Sequence, residues 1–234
     1  TKNNKIRILS IIYFIAIITP FYGFEVLQNY PQIKLVFKDF DTRTKRAVYN
    51  DVSKNRKVVP TAPLDNDVIS GKNSDLYPLA GFPNEYTLFC NEHGQYVFYD
   101  SDRYGFRNND NLWDKKIDAV LLGDSFAHGA CVENAISENL NAVKNFNIIN
   151  LGYQGNGPLK MYGALKEYGV DLEPKYIVWM YDSFNDIDDL VYELENEILN
   201  KYLDKDYKQN LKKISNKVNN FLGIVLREKL NHDF

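Results

Sequence analysis

The sequence predicts an α/β fold, a doubly wound parallel sheet, set behind an N-terminal membrane helix. Three observations predict it. Short, nearly unbroken apolar runs recur at residues 117–122, 146–150 and 176–181. Stretches of helical composition separate them, at 133–144 and 159–168. Residues 8–24, near the start of the chain, are apolar and carry no charge. Strand, helix, strand, helix, strand is the order of right-handed parallel crossovers. Runs without polar alternation suit parallel strands covered on both faces.

Residues 1–28 read as a membrane anchor. At about 1.5 Å per residue, such a helix roughly crosses a hydrocarbon core of about 30 Å. Lys2, Lys5 and Arg7 precede the run and favour the cytoplasmic side. The rest of the chain is therefore expected outside the inner membrane, with Phe21, Tyr22 and Phe24 at the far interface. A cleaved signal peptide needs a shorter apolar core and a small-x-small site, which Pro20-Phe21-Tyr22-Gly23 does not supply. A buried core helix fits less well, because the run lacks a polar face.

Residues 29–114 read as an extended lead-in. Residues 29–75 show no sustained helical period, so part strand and part loop is expected. The basic run at 54–57 reads as a solvated face. Tyr96-Val97-Phe98-Tyr99 looks like a short strand, and residues 100–109 like a turn-rich approach segment. The α/β domain then occupies 115–234. Its last part, 186–230, is helical in composition, acidic first and basic later, as for a solvated face.

Bulk properties exclude some classes. The chain has 234 residues and is 44% hydrophobic, enough for a packed core. Its formal net charge of -3 offers no global positive field, so no nucleic acid partner is expected. The two cysteines, Cys90 and Cys131, are too few for a paired-cysteine zinc site. They are either small buried side chains or, outside the cytoplasm, a disulfide. A bridge would pin the lead-in to the side of the sheet where chemistry is expected.

In an open parallel sheet, sites form beyond the C-terminal strand ends. Three polar, turn-rich loops stand there: 123–129 (GDSFAHG), 150–157 (NLGYQGNG) and 182–186 (DSFND). Ser125 would open the helix after the first strand, where backbone N–H groups are unpaired. A glycine in the second loop lets backbone approach closely and offer an N–H. Asn185 adds a side-chain amide. Such donors together make an oxyanion hole. Singly, each has a plainer reading: Gly-Asp-Ser as a helix start, glycines as a chain turn, Asn-Asp as a helix cap. In this order, each at a strand end, they are specific.

Over roughly 115–190 the sequence resembles the SGNH, or GDSL-type, hydrolase and acyltransferase superfamily. Leu121-Leu122-Gly123-Asp124-Ser125-Phe126 is similar to its nucleophile block. Asn150-Leu151-Gly152-Tyr153-Gln154-Gly155 is similar to its glycine block, and Phe184-Asn185-Asp186 to its asparagine block. The approach segment Tyr104-Gly105-Phe106-Arg107-Asn108 resembles one seen in secreted or anchored members. The resemblance implies a flavodoxin-like three-layer α/β/α sheet and a Ser-His-Asp mechanism without metal or cofactor. It implies Ser125 as nucleophile, with the Gly155 N–H and the Asn185 amide as oxyanion donors. The substrate class it suggests, by analogy, is a small-molecule or polysaccharide ester of the envelope, such as an acylated sugar.

Two departures stand out. Ser183 replaces the glycine usual two residues before the asparagine. The family's Asp-x-x-His, which supplies the base, has no counterpart after the third strand; the histidines are His93, His128 and His232, and Lys229 stands three before the last. Three explanations are open: a C-terminally incomplete member, which the short sheet also suggests; His128 or His232 as surrogate base; or an inactive domain that only binds. A flavodoxin-type nucleotide or flavin site is the least favoured reading, since Phe126-Ala127-His128 makes a poor phosphate cradle.

Overall fold

The computed structural model describes residues 2–38, 40–65, 69, 75–143 and 145–232. Parts of the expected lead-in (66–68 and 70–74) and the end of one expected helix (Lys144) lie outside the described residues. The chain forms two compact units. One comprises Thr1–Thr42 with His93–Gln95; the other comprises Arg43–Glu92 with Tyr96–Phe234.

The first unit is dominated by helix α1 (Lys2–Lys38). Its segment Lys5–Glu25 is long and apolar enough to cross a membrane, and none of it is buried. The hydroxyls of Ser10 and Thr19 donate to the carbonyls of Ile6 and Ile15, at 3.0 and 2.7 Å. That back-bonding leaves little polarity on an apolar helix. The helix outruns the expected anchor end at 28. The chain there has no glycine to stop it, and Pro31 does not end it.

In the second unit the lead-in is less extended than its composition suggests. Helix α2 (Lys45–Val52) opens with Thr44 as N-cap, whose side chain accepts from Ala47 N–H. Val48 anchors it in a small cluster with Val58 and Leu88. One buried contact and a good cap suffice where no long period exists. Strand β1 (Val59–Pro60) runs parallel to β2 (Tyr86–Leu88), which is antiparallel to β3 (Phe98–Asp100). β3 lies at the strand expected over 96–99.

The second sheet fulfils the three apolar runs. β4 (Ala119–Leu122), β5 (Ile148–Asn150) and β6 (Tyr176–Trp179) are parallel, in the order β5-β4-β6. Between them lie α3 (Ser125–His128), α4 (Ile136–Asn141) and α5 (Pro158–Ala164), the last continuing as a π turn over Leu165–Gly169. After β6 come α6 (Asp186–Leu194), α7 (Glu197–Asn200) and α8 (Ser215–His232). The fold is thus mixed α/β, with one small mixed sheet and one small parallel sheet.

Burial shows how β4 is held. Val120 and Leu122 join the main core with Ile149, Met161, Tyr168 and Leu222. Ala119 and Leu121 face a second cluster with Ala127 of α3 and Ile148. β4 is therefore covered on both faces. β6 is not: all four of its residues are exposed. α6 is inverted as well, burying Asp186 and Glu193 while Ile187 and Val191 face solvent.

Candidate active site

Ser125 opens α3 directly beyond β4. Asp124 caps the helix: its Oδ1 accepts from Phe126 N–H at 2.9 Å, and the residue is buried. Gly123 is required by space, since a Cβ there would meet Ala127 Cβ at 2.7 Å and the Met180 carbonyl at 3.2 Å. Gly129 ends the helix in the left-handed region, at φ 76°. Among the described residues the Ser125 hydroxyl has no hydrogen-bond partner.

The glycine loop packs onto this helix. A Cβ on Gly152 would come within 2.5 Å of Ala127 Cβ and 3.0 Å of the His128 backbone nitrogen, so only glycine lets the loop pack this closely on α3. Asn150 ties them further, donating to Ala127 O at 2.6 Å and accepting from Gly152 N–H at 2.8 Å. Gly155 adopts φ +72°, which glycine tolerates. Its N–H has no partner among the described residues. Its carbonyl accepts from Lys160 Nζ at 2.6 Å. Lys160 is itself buried and 3.7 Å from the buried Glu193, which accepts from Gly157, Leu159 and Lys160 N–H at the start of α5.

The third loop also converges on the first two. A Cβ on Gly157 would meet Asp189 Cβ at 2.7 Å. Burial first, and then the neighbouring Asp124, raises the carboxyls of Asp186 and Asp189 above the usual range. A cleft of about 360 Å³ is lined by Asp124, Phe126, Met180, Tyr181 and Asp182. Asn185 stands at the N-terminus of α6, but its amide is engaged: Nδ2 donates to Asp189 Oδ2 at 3.2 Å. Its Oδ1 is buried without a partner among the described residues. The structure thus brings Ser125, Gly155 and Asn185 to one end of the sheet, with the Asn185 donor turned toward its own helix.

His128 is not placed as a base for Ser125. It is fully buried, with Nδ1 3.1 Å from Gln154 N and Nε2 3.0 Å from Tyr99 Oη. Burial foremost, then the positive Arg107 and Lys45, pushes its pKa down to about 3, so the ring is neutral. His93 belongs to the first compact unit, and His232 ends α8.

Several supporting residues escaped sequence reasoning. Asp102, fully buried, accepts from the N–H groups of Tyr104 and Phe106, from Asn108 Nδ2 and from Trp113 Nε1. Burial still pushes its pKa up to about 6. Asn108 passes the connection on, exchanging two 2.8 Å bonds with the Asn150 backbone. Arg107 donates to the carbonyls of Gly129, Val132 and Glu133 and pairs bidentately with Glu138. All its donors are satisfied, which is what a buried guanidinium requires. The approach motif is therefore the scaffold of the Ser125 and glycine loops. Its run of turn formers beside Arg and Asn was the available signal.

Cys90 and Cys131 form a disulfide with Cα atoms 5.1 Å apart, joining the lead-in to the segment after α3. Compared with models of known families, with curated proteins and with solved structures, the chain matches none.

Proposed function

We propose that this protein is a serine-dependent carboxylester hydrolase or O-acyltransferase of the SGNH type. In this reading its α/β unit is a flavodoxin-like domain with Ser125 as nucleophile. The observation that carries the reading is that two groups follow the C-terminal ends of the neighbouring strands β4 and β5, on loops packed against each other. One is a half-buried serine on a capped, glycine-flanked helix; the other is a glycine N–H that has no partner among the described residues. Ser125 Oγ attacks the acyl carbon, and the carbonyl oxygen becomes an oxyanion held by the N–H groups of Ser125 and Gly155. Asn185 Nδ2 joins them once it turns from Asp189. A histidine accepts the serine proton; among the described residues none is hydrogen-bonded to Ser125. The oxyanion then collapses, the acyl C–O bond breaks and the substrate alcohol leaves with the proton the histidine returns, so that water or a hydroxyl acceptor can take the acyl group from the serine.

The disulfide and the apolar helix support a place outside the inner membrane, anchored by α1. The substrate we favour is an acylated envelope sugar. Full-length protein in detergent should release acetate from glucose pentaacetate, and a fluorophosphonate probe should label it. Ser125→Ala should abolish both; activity retained in that variant rules the nucleophile out.

A second reading has its own observation. The Ser125 hydroxyl has no partner among the described residues, and both ring nitrogens of the nearest histidine in sequence are engaged. This favours a non-catalytic domain that binds envelope carbohydrate in the same cleft. It predicts no probe labelling, and sugar binding unchanged by Ser125→Ala.

A further inference from the structure

The His128 ring sits between two aromatic rings. It stacks on Tyr153 with centroids 4.6 Å apart and planes at 23°, and lies against Phe89 at 4.3 Å. Backbone N–H only donates, so the Nδ1 facing Gln154 N–H is an unprotonated acceptor. The neutral ring then carries its proton on Nε2 and donates it to the Tyr99 hydroxyl. The backbone of the glycine loop fixes this tautomer.

The position of the contact matters. Ser125 and His128 belong to the same helical turn. Gln154 directly precedes Gly155. His128 holds the peptide plane between 153 and 154 through its N–H, and Lys160 holds the plane between 155 and 156 through its carbonyl. The plane between those two carries the Gly155 N–H. With its neighbours fixed on either side, that plane has little freedom to rotate.

We propose that His128 is a positioning residue: its neutral ring clasps the glycine loop to the nucleophile helix and sets the direction of the Gly155 N–H relative to Ser125. The proposal rests on the acyl-transfer reading of those two groups. Phe89 and Tyr99 make the lead-in hairpin part of the clasp, which gives that segment a role at the site.

The test uses full-length protein in detergent, with wild type, His128→Leu and His128→Asn. Asparagine keeps an acceptor near the Nδ1 position; leucine keeps bulk without an acceptor. Two readouts are taken: hydrogen exchange of the peptide spanning 151–157, and turnover of p-nitrophenyl acetate. Expected for His128→Leu are exchange at least ten-fold faster in that peptide and kcat at least ten-fold lower, with KM within two-fold. His128→Asn should recover most of both. Wild-type exchange in a folded leucine variant overturns the clasp, and so does an unchanged kcat in an active enzyme. If no form turns over ester while the leucine variant still loosens 151–157, the nucleophile reading fails and the clasp stands. Should the leucine variant not fold, ¹⁵N spectra of histidine-labelled wild type decide. An Nε2–H ring at 128 supports the clasp, and an Nδ1–H ring overturns it.

Discussion

β4 and β6 are neighbours in one sheet, paired residue for residue from Ala119 with Tyr176 to Leu122 with Trp179. Both are wholly apolar, yet their surroundings are opposite. No β4 residue is more than 2% exposed, whereas Tyr176, Ile177, Val178 and Trp179 are 51%, 52%, 43% and 46% exposed. An apolar run states a demand for cover; it does not say that the demand is met. β4 lies between two strands and two clusters, while β6 is an edge with open faces. Phe184, just beyond it, is 93% exposed. The site inherits the difference. Ser125 and Gly155 follow the packed strands β4 and β5. Asn185 follows the uncovered strand, and its amide is the group that points elsewhere.

The largest effect should separate the two strands directly. Leu121→Ala should cost about 2–5 kcal/mol in urea denaturation, through lost burial and an unfilled cavity. Ile177→Ala should cost no more than about 0.5 kcal/mol. Equal losses would break the comparison. Next, the covered side is also stapled. Cys131→Ser opens a disulfide spanning 41 residues and should lower stability by about 2–4 kcal/mol. A loss below about 1 kcal/mol would mean that packing alone holds α3.

A pH effect follows on the same side. His128 titrates near its ordinary 6.5 when unfolded and at about 3 when folded. Between those values only the unfolded chain takes up the proton, so stability falls as pH drops, by about 1.4 kcal/mol per unit. Asp102, raised to about 6 from an ordinary 3.8, acts oppositely: there the folded state holds the proton, and stability rises as pH falls. The histidine is therefore isolated by difference. Wild type should lose more stability than His128→Asn between pH 6.5 and 5, by about 2 kcal/mol; parallel curves would place the ring in solvent.

The smallest effect on stability, on the uncovered side, concerns association. Ile177→Lys puts a charge on an apolar edge strand, a known guard against edge pairing. Sedimentation of detergent-solubilised protein should show less self-association, with stability within about 0.5 kcal/mol of wild type. A stability loss above about 1 kcal/mol would show that β6 is already covered in solution.

Much of this was legible in the sequence. The three apolar runs became β4, β5 and β6, and the three polar loops stand at their ends, because period and turn chemistry are local. The helix over 45–52 was not legible: it is short, and a single valine anchors it. The extension of α1 was hidden by a polar stretch that still propagates a helix. Side-chain wiring was also invisible. Nothing near Asp102 in sequence announces that it gathers four donors, and nothing near His128 announces Tyr99 as partner. The exposure of β6 could not be read either, since composition records what a strand is made of and not what lies against it.

The bond between Cys90 and Cys131 has a topological consequence. It closes the chain on itself around β3, β4, Ser125 and His128. A single backbone cut anywhere inside that ring leaves one covalent molecule, with the Ser125 turn still joined to both remaining lengths of chain. Such a nicked protein should migrate at full mass until a reductant is added, and only then fall into two pieces.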